Sequence, residues 1–160
     1  MEGGECRLVS RNRNAFKTFP ALSAAIAAAV PHQAVIDGEI VRLGSDGRPQ
    51  FYELMRRHGP MSFCAFDLLF LDGEDLRARS LLERKKMLRK IVRPPLLYVD
   101  HVAGEGVELF RMVCERDLEG IVAKLAAGCY DPANTSWVKI KNPSYSQAEG
   151  RREFFDRQRR

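Results

Sequence analysis

The sequence predicts a mixed α/β or α+β domain, on three observations. Stretches in which apolar residues recur at every second position alternate with stretches in which they recur every third or fourth. The 160 residues, 45% hydrophobic, 29% charged and 9% aromatic, suit one folded domain with its own core, not two domains or a disordered chain. The run at 61–71 is apolar almost throughout, the pattern of a central strand.

In chain order, residues 7–10 are a short strand candidate. Gly3-Gly4 ahead of them reads as a hairpin turn whose first strand would precede Met1, so the chain is expected to begin in mid-structure. A helix follows Pro20, with Leu22, Ile26 and Val30 at i, i+4 and i+8, and stops at Pro31. Residues 34–43 read as a strand closed by the turn Ser45-Asp46-Gly47, and 51–57 as a short helix. The central strand at 61–71 ends at the turn Asp72-Gly73. Ser80-Leu81-Leu82-Glu83 forms a capping box and opens a basic helix to about residue 92, ended by Pro94-Pro95. Residues 96–102 read as a strand, and 105–116 as a helix burying Val107, Phe110 and Val113. Residues 120–125 and 136–141 read as strands of a hairpin around a turn-rich 128–134. The remainder, from 142, reads as a polar linker or terminal helix outside the core.

Charge and motif content exclude several classes. The net charge is +5, and residues 139–160 carry seven basic side chains against three acidic ones, so the excess sits at the C-terminal end and suggests a polyanionic partner, nucleic acid before membrane. Cys6, Cys64, Cys114 and Cys129 show no ligand spacing and read as reduced thiols, which excludes an evident zinc site. No apolar run is long enough to span a bilayer, and no apolar leader follows Met1; the expected setting is cytoplasmic. There is no phosphate-cradling glycine loop, nucleophile elbow or H-E-x-x-H pair. His32, His58 and His101 stand alone, more often surface residues than catalysts.

What remains is charge on strands that ought to be apolar. In Val35-Ile36-Asp37-Gly38-Glu39-Ile40-Val41, alternation sends Asp37 and Glu39 to one face, with Gly38 leaving room for a ligand; the plainer reading is a D-G turn with an exposed glutamate. In Trp137-Val138-Lys139-Ile140-Lys141 both lysines share a face, either as a clamp for phosphate oxygens or as ordinary protection of an edge strand. Glu119-Gly120-Ile121-Val122-Ala123-Lys124 repeats the pattern, although Glu119 alone would be a solvated residue. Phe66 by itself reads as core.

Together and in order, these segments resemble the nucleotidyltransferase (adenylation) domain of ATP-dependent DNA ligases, of bacterial type, in the superfamily that includes RNA ligases and capping enzymes. Ser10-Arg11-Asn12 resembles motif Ia, Asp37-Gly38-Glu39 motif III, Phe66-Asp67 motif IIIa, Glu119-Gly120-Ile121-Val122 with Lys124 motif IV, and Trp137 to Lys141 motif V. The ending Lys141-Asn142-Pro143, with Tyr145-Ser146-Gln147 and Glu149-Gly150-Arg151, is similar to bacterial members, including ligase modules of end joining.

The resemblance implies an α+β fold, an ATP-grasp-like nucleotidyltransferase domain of antiparallel sheets flanked by helices, truncated at its N-terminus. It implies a partial adenylation domain over 1–146 and, over 147–160, a basic tail or linker toward an absent OB-fold domain. Arg11 would contact the ribose or a DNA phosphate, Glu39 would hold the ribose or a metal, and Phe66 would stack on adenine. Glu119 would bind the metal, and Lys139 and Lys141, helped by Lys124, would neutralise the α-phosphate. The cofactors implied are ATP (AMP) and Mg²⁺ or Mn²⁺. The implied substrate is nicked double-stranded DNA in repair or recombination, at the bacterial nucleoid and without a membrane. The reaction passes AMP from a lysine to a 5′-phosphate, which a 3′-hydroxyl then displaces.

The sequence departs from the family in one respect that matters. The nucleophile lies in a K-x-D-G motif, and the three D-G pairs here are preceded two residues earlier by Val35, Gly44 and Phe70. Self-adenylation is therefore not expected of these residues alone. A fragment, a mis-called start and one half of a split enzyme, with a separate polypeptide supplying motif I or the OB-fold, all remain open. So do a non-catalytic nucleic-acid-binding remnant and an RNA ligase or capping-type enzyme. Arg13, where many relatives have glycine, is a smaller change.

Overall fold

The computed structural model describes residues 4–134 and 136–148. They divide into two units, one of residues up to 100 together with 126–134, the other of residues 101–125 and 136–148.

The first unit is built on strand β2 (Ser62–Leu71), whose apolar run makes it the centre of a four-stranded sheet. Strand β1 (Ala34–Val41) pairs with it antiparallel along its length. On the other edge it pairs antiparallel with the short β3 (Glu74–Asp75) and parallel with β4 (Leu96–Tyr98). The β2–β3 connection turns at Asp72-Gly73, both at positive φ (45° and 93°), as a tight hairpin turn requires.

Helix α1 (Pro20–Ala29) starts with a proline where no backbone donor is needed. Its buried stripe, Leu22 and Ile26, continues into Val30. Short helix α2 is Phe51–Arg56. Helix α3 (Leu81–Ile91) begins at the expected capping box: Ser80 Oγ accepts from the Glu83 amide at 3.3 Å, and a Glu83 oxygen accepts from the Ser80 amide at 3.0 Å. Leu22, Ile26, Val30, Ala34, Ala65, Leu68, Leu76, Leu88, Ile91 and Leu96 form one core with Leu8. Each large aliphatic side chain buried there contributes about 1.5–3 kcal/mol.

The second unit carries helix α4 (Gly106–Glu115) and the two-stranded antiparallel sheet of β5 (Gly120–Ala123) and β6 (Val138–Lys141). A 3₁₀ turn spans Ser146–Ala148. No described helix is long and apolar enough to cross a membrane.

Four expectations are corrected. The strand at 7–10 shrinks to a single bridge, Val9 to Ala15, because Ser10 closes a turn: its amide donates to the Asn14 carbonyl and its hydroxyl accepts from the Asn14 amide. The strand from 96 stops at Tyr98. Val107 is 88% exposed rather than buried, since six residues of α-helix turn it roughly 120° away from Val113. Asn142 and Tyr145 are buried rather than part of a solvated linker: Asn142 donates to the carbonyls of Glu119 and Leu118 and accepts from the Ser144 amide. The basic stretch from 149 onward, with its five arginines, lies outside the described residues.

Candidate active site

The candidate residues divide between the units: Arg11, Glu39 and Phe66 in the first, Glu119, Lys124, Lys139 and Lys141 in the second.

In the first unit, Asp37-Gly38-Glu39 lies inside β1, which decides against a D-G turn. The register with β2 is interrupted, however. Asp37 faces Asp67 and Gly38 faces Ala65, so the register slips by one and leaves Phe66 opposite no residue of β1. Such a bulge re-aims a side chain; Phe66 is partly buried and lies outside the core cluster. The space over Gly38 does not await a ligand. A Cβ there would lie 2.4 Å from the Cys64 carbonyl oxygen and 2.4 Å from the Phe63 ring, so neighbouring chain fills it. Glu39 is exposed beside Cys64, whose thiol is pushed up by burial and by the Glu39 charge. Arg11 is exposed on the Ser10 turn.

Two features of this unit escaped sequence reasoning. Asp67 and Arg84 form a buried bidentate ion pair, 0% and 1% exposed, with Arg84 Nε and Nη2 at 2.8 and 2.9 Å from the two carboxylate oxygens. Arg84 also donates to the carbonyls of Arg79 and Gly128 and lies 5.9 Å from the Tyr130 ring centroid. The second is Tyr130, whose hydroxyl donates to Asp37 Oδ2 at 3.0 Å. Burial, followed by the Asp37 charge, pushes this phenol up to about 12, so it stays protonated at neutral pH. A signal for Arg84 was present, a charged residue four positions before Leu88 on the apolar stripe of α3. The turn-rich segment around Tyr130 offered none.

In the second unit, Gly120 takes φ 148°, and a Cβ on it would lie 2.2 Å from the Ile140 carbonyl oxygen. Only glycine lets β5 start against β6 in this way. That start brings Glu119 to Lys139, whose Nζ is 2.7 Å from Glu119 Oε1. Lys141 is exposed, opposite Gly120 in the register. Lys124 Nζ sits 4.2 Å from the Trp137 ring centroid, a cation–π contact. The hairpin is held from outside by Asp117, which accepts from the amide and hydroxyl of Ser146.

Among the described residues no three His, Cys, Asp or Glu side chains form a metal-holding group. A carboxylate or two completed by substrate phosphates is the usual Mg²⁺ arrangement; Glu39 of the first unit and Glu119 of the second are each single carboxylates of that donor type.

An α+β domain carrying carboxylates and lysines on strands is suited to binding and transferring charged groups. The chain belongs to the ATP-dependent DNA ligase family: residues 1–141 match the family model described as ATP dependent DNA ligase domain. It is 31% identical over 128 residues to the SPbeta prophage-derived DNA ligase-like protein LigB of Bacillus subtilis, covering 74% of this chain and 47% of that protein. It is 34% identical over 145 residues to the multifunctional non-homologous end joining DNA repair protein LigD of Mycobacterium tuberculosis, covering 87% of this chain and 19% of that one. The ligase domain of M. tuberculosis LigD superposes with a TM-score of 0.76 at 34% identity, over 86% of this chain and 47% of that one. A mycobacterial DNA ligase D complexed with ATP and MES gives 0.75 at 34% identity, over 86% and 48%. The chain thus spans less than half the length of each of these proteins.

Proposed function

We propose that this chain provides the nucleotide-handling part of a bacterial ATP-dependent DNA ligase, sealing nicks in double-stranded DNA through adenylated intermediates, in repair or recombination at the nucleoid. The observation that carries the reading is the Glu119–Lys139 pair, drawn from the two motif-like strands of the hairpin, in a chain of this family. Phe66 stacks on adenine, Glu39 reads the ribose, and Arg11 contacts the ribose or a DNA phosphate. Lys139 and Lys141, aided by Lys124, offset charge on the α-phosphate. Glu119 holds Mg²⁺ or Mn²⁺, which when bound neutralises phosphate charge, and Glu39 is a carboxylate for the ribose or a metal.

None of the D-G pairs in these 160 residues follows a lysine at the required spacing. The lysyl-AMP step is therefore assigned to a lysine outside them, and the chain is expected to bind AMP or adenylated nicked DNA without adenylating itself. Incubation with labelled ATP and magnesium tests this. The expected result is nucleotide held reversibly; a covalent adduct that is stable in alkali and labile in acid, as a lysine phosphoramidate is, would overturn the assignment of the nucleophile, and no nucleotide binding would overturn the reading itself.

The concentration of positive charge from residue 139 onward favours a second reading, a nucleic-acid-binding remnant without catalysis. Its affinity for nicked duplex would fall steeply with salt and ignore both ATP and Lys139→Ala. Comparing DNA with RNA nicks separates a DNA ligase from an RNA ligase or capping-type enzyme.

A further inference from the structure

The β1–β2 register shifts twice, between Val35 and Ile36 and between Asp37 and Gly38. Ladder hydrogen bonding is locally disrupted at such a slip. The direction of the Asp37-Gly38-Glu39 segment therefore depends on what holds it from the side. Phe63 and the Cys64 carbonyl pack on Gly38. A further hold comes from far along the chain, the Tyr130 hydroxyl on Asp37 Oδ2 at 3.0 Å.

Tyr130 is itself mounted rigidly. Its amide donates to the Arg77 carbonyl at 2.8 Å, and the Leu82 amide donates to the Ala126 carbonyl at 3.2 Å. Arg84 donates to the Gly128 carbonyl at 3.2 Å, with its guanidinium near the Tyr130 ring. Arg84 is locked in turn by both oxygens of the buried Asp67, which also accepts from the Leu68 amide at 2.9 Å. A buried charge pair fully engaged on both sides makes a stiff mount.

We infer that Tyr130 is a positioning residue for Glu39: by holding Asp37 across the register slip, it sets the direction from which the exposed Glu39 carboxylate reaches a nucleotide ribose. The inference rests on the reading of Glu39 given above, and it makes ribose selectivity depend on a residue of the connection between β5 and β6.

The test measures binding of AMP and of 2′,3′-dideoxy-AMP to the full chain, with the thermal midpoint recorded alongside. The wild type is expected to favour AMP, and Glu39→Gln to abolish that preference. Tyr130→Phe keeps the ring beside Arg84 and removes only the hydroxyl. It is expected to shrink the preference about five- to tenfold, the scale of one typical net hydrogen bond, while dideoxy-AMP affinity stays unchanged. Asp37→Ala, which removes the acceptor, is expected to act in the same direction and the double variant to add little to either, as for two partners in one contact; this second variant decides the matter if Tyr130→Phe does not fold. An unchanged preference in both variants, or an equal loss for both nucleotides, overturns the inference alone. A wild type that binds both nucleotides equally overturns it together with the ribose role of Glu39. A wild type that binds neither overturns it together with the proposed function.

Discussion

At the scale of single residues, Asp67 and Arg84 are the most exacting pair in the molecule. Removing one partner from a fully buried pair leaves the other charge desolvated, which costs far more than the net contribution of the intact pair. Arg84→Met is therefore expected to lower unfolding free energy by about 3–5 kcal/mol in a urea titration. The double change Asp67→Leu with Arg84→Met should recover much of that loss; a double variant no more stable than the single one would refute this account. Asp67 was legible in the sequence as a charge on an apolar strand, but its partner was not sought on the apolar stripe of α3. Tyr130 gives a pH signature. Its phenol is pushed up to about 12 in the folded protein, against about 10 in an unfolded chain. A group protonated more readily when folded stabilises fully below the unfolded value, and that stability drains as pH rises toward the folded one. Wild-type stability is thus expected to fall between pH 10 and 12 more steeply than that of Tyr130→Phe. Parallel curves over that window would contradict the shift.

At the scale of elements, periodicity was a good guide wherever an element buries a stripe, and a poor one wherever hydrogen bonds to particular groups decide. Helices α1 and α3, strands β1 and β2 and the β5–β6 hairpin all fall where apolar spacing puts them. The strand at 7–10 gave way to the Ser10 turn, and residues 142–146 are held by the carbonyls of Leu118 and Glu119 and by Asp117, none of which leaves an apolar pattern. The same limit applied to the site. The charged strand positions could be read, whereas the register slip at Phe66 could not, because it depends on how two strands align. Gly120 shows what an element can demand of one residue. Gly120→Ala forces an unfavourable φ and a collision with the Ile140 carbonyl, so it should destabilise by more than the roughly 1 kcal/mol by which such a change stabilises at a compatible site. Hydrogen exchange is expected to show lost protection at β5 and β6, with β1 and β2 amides still protected. Uniform loss across both sheets would mean that the two units do not unfold separately.

At the scale of the whole molecule, the proposed function gives the charge two different uses that one variant each can separate. Lys139 is paired with Glu119 on the hairpin, so its role on the proposed reading is local: offsetting phosphate charge on a nucleotide. Residues 149–160 hold five arginines against three acidic residues, and removing them takes the net charge from +5 to +3. Each phosphate neutralised contributes about 0.9 to the slope of log affinity against log salt. Truncation after residue 148 should therefore flatten the salt dependence of nicked-duplex binding by several times that unit while leaving AMP binding intact. Lys139→Ala should do the reverse, changing the slope by no more than about one unit and weakening AMP binding roughly tenfold, as expected when a charge-assisted contact is lost. The two measurements on the same three proteins discriminate sharply. If truncation weakened AMP binding, the basic end would belong to the nucleotide site; if Lys139→Ala left AMP binding unchanged, the hairpin lysine would be a surface charge with no part in holding the nucleotide.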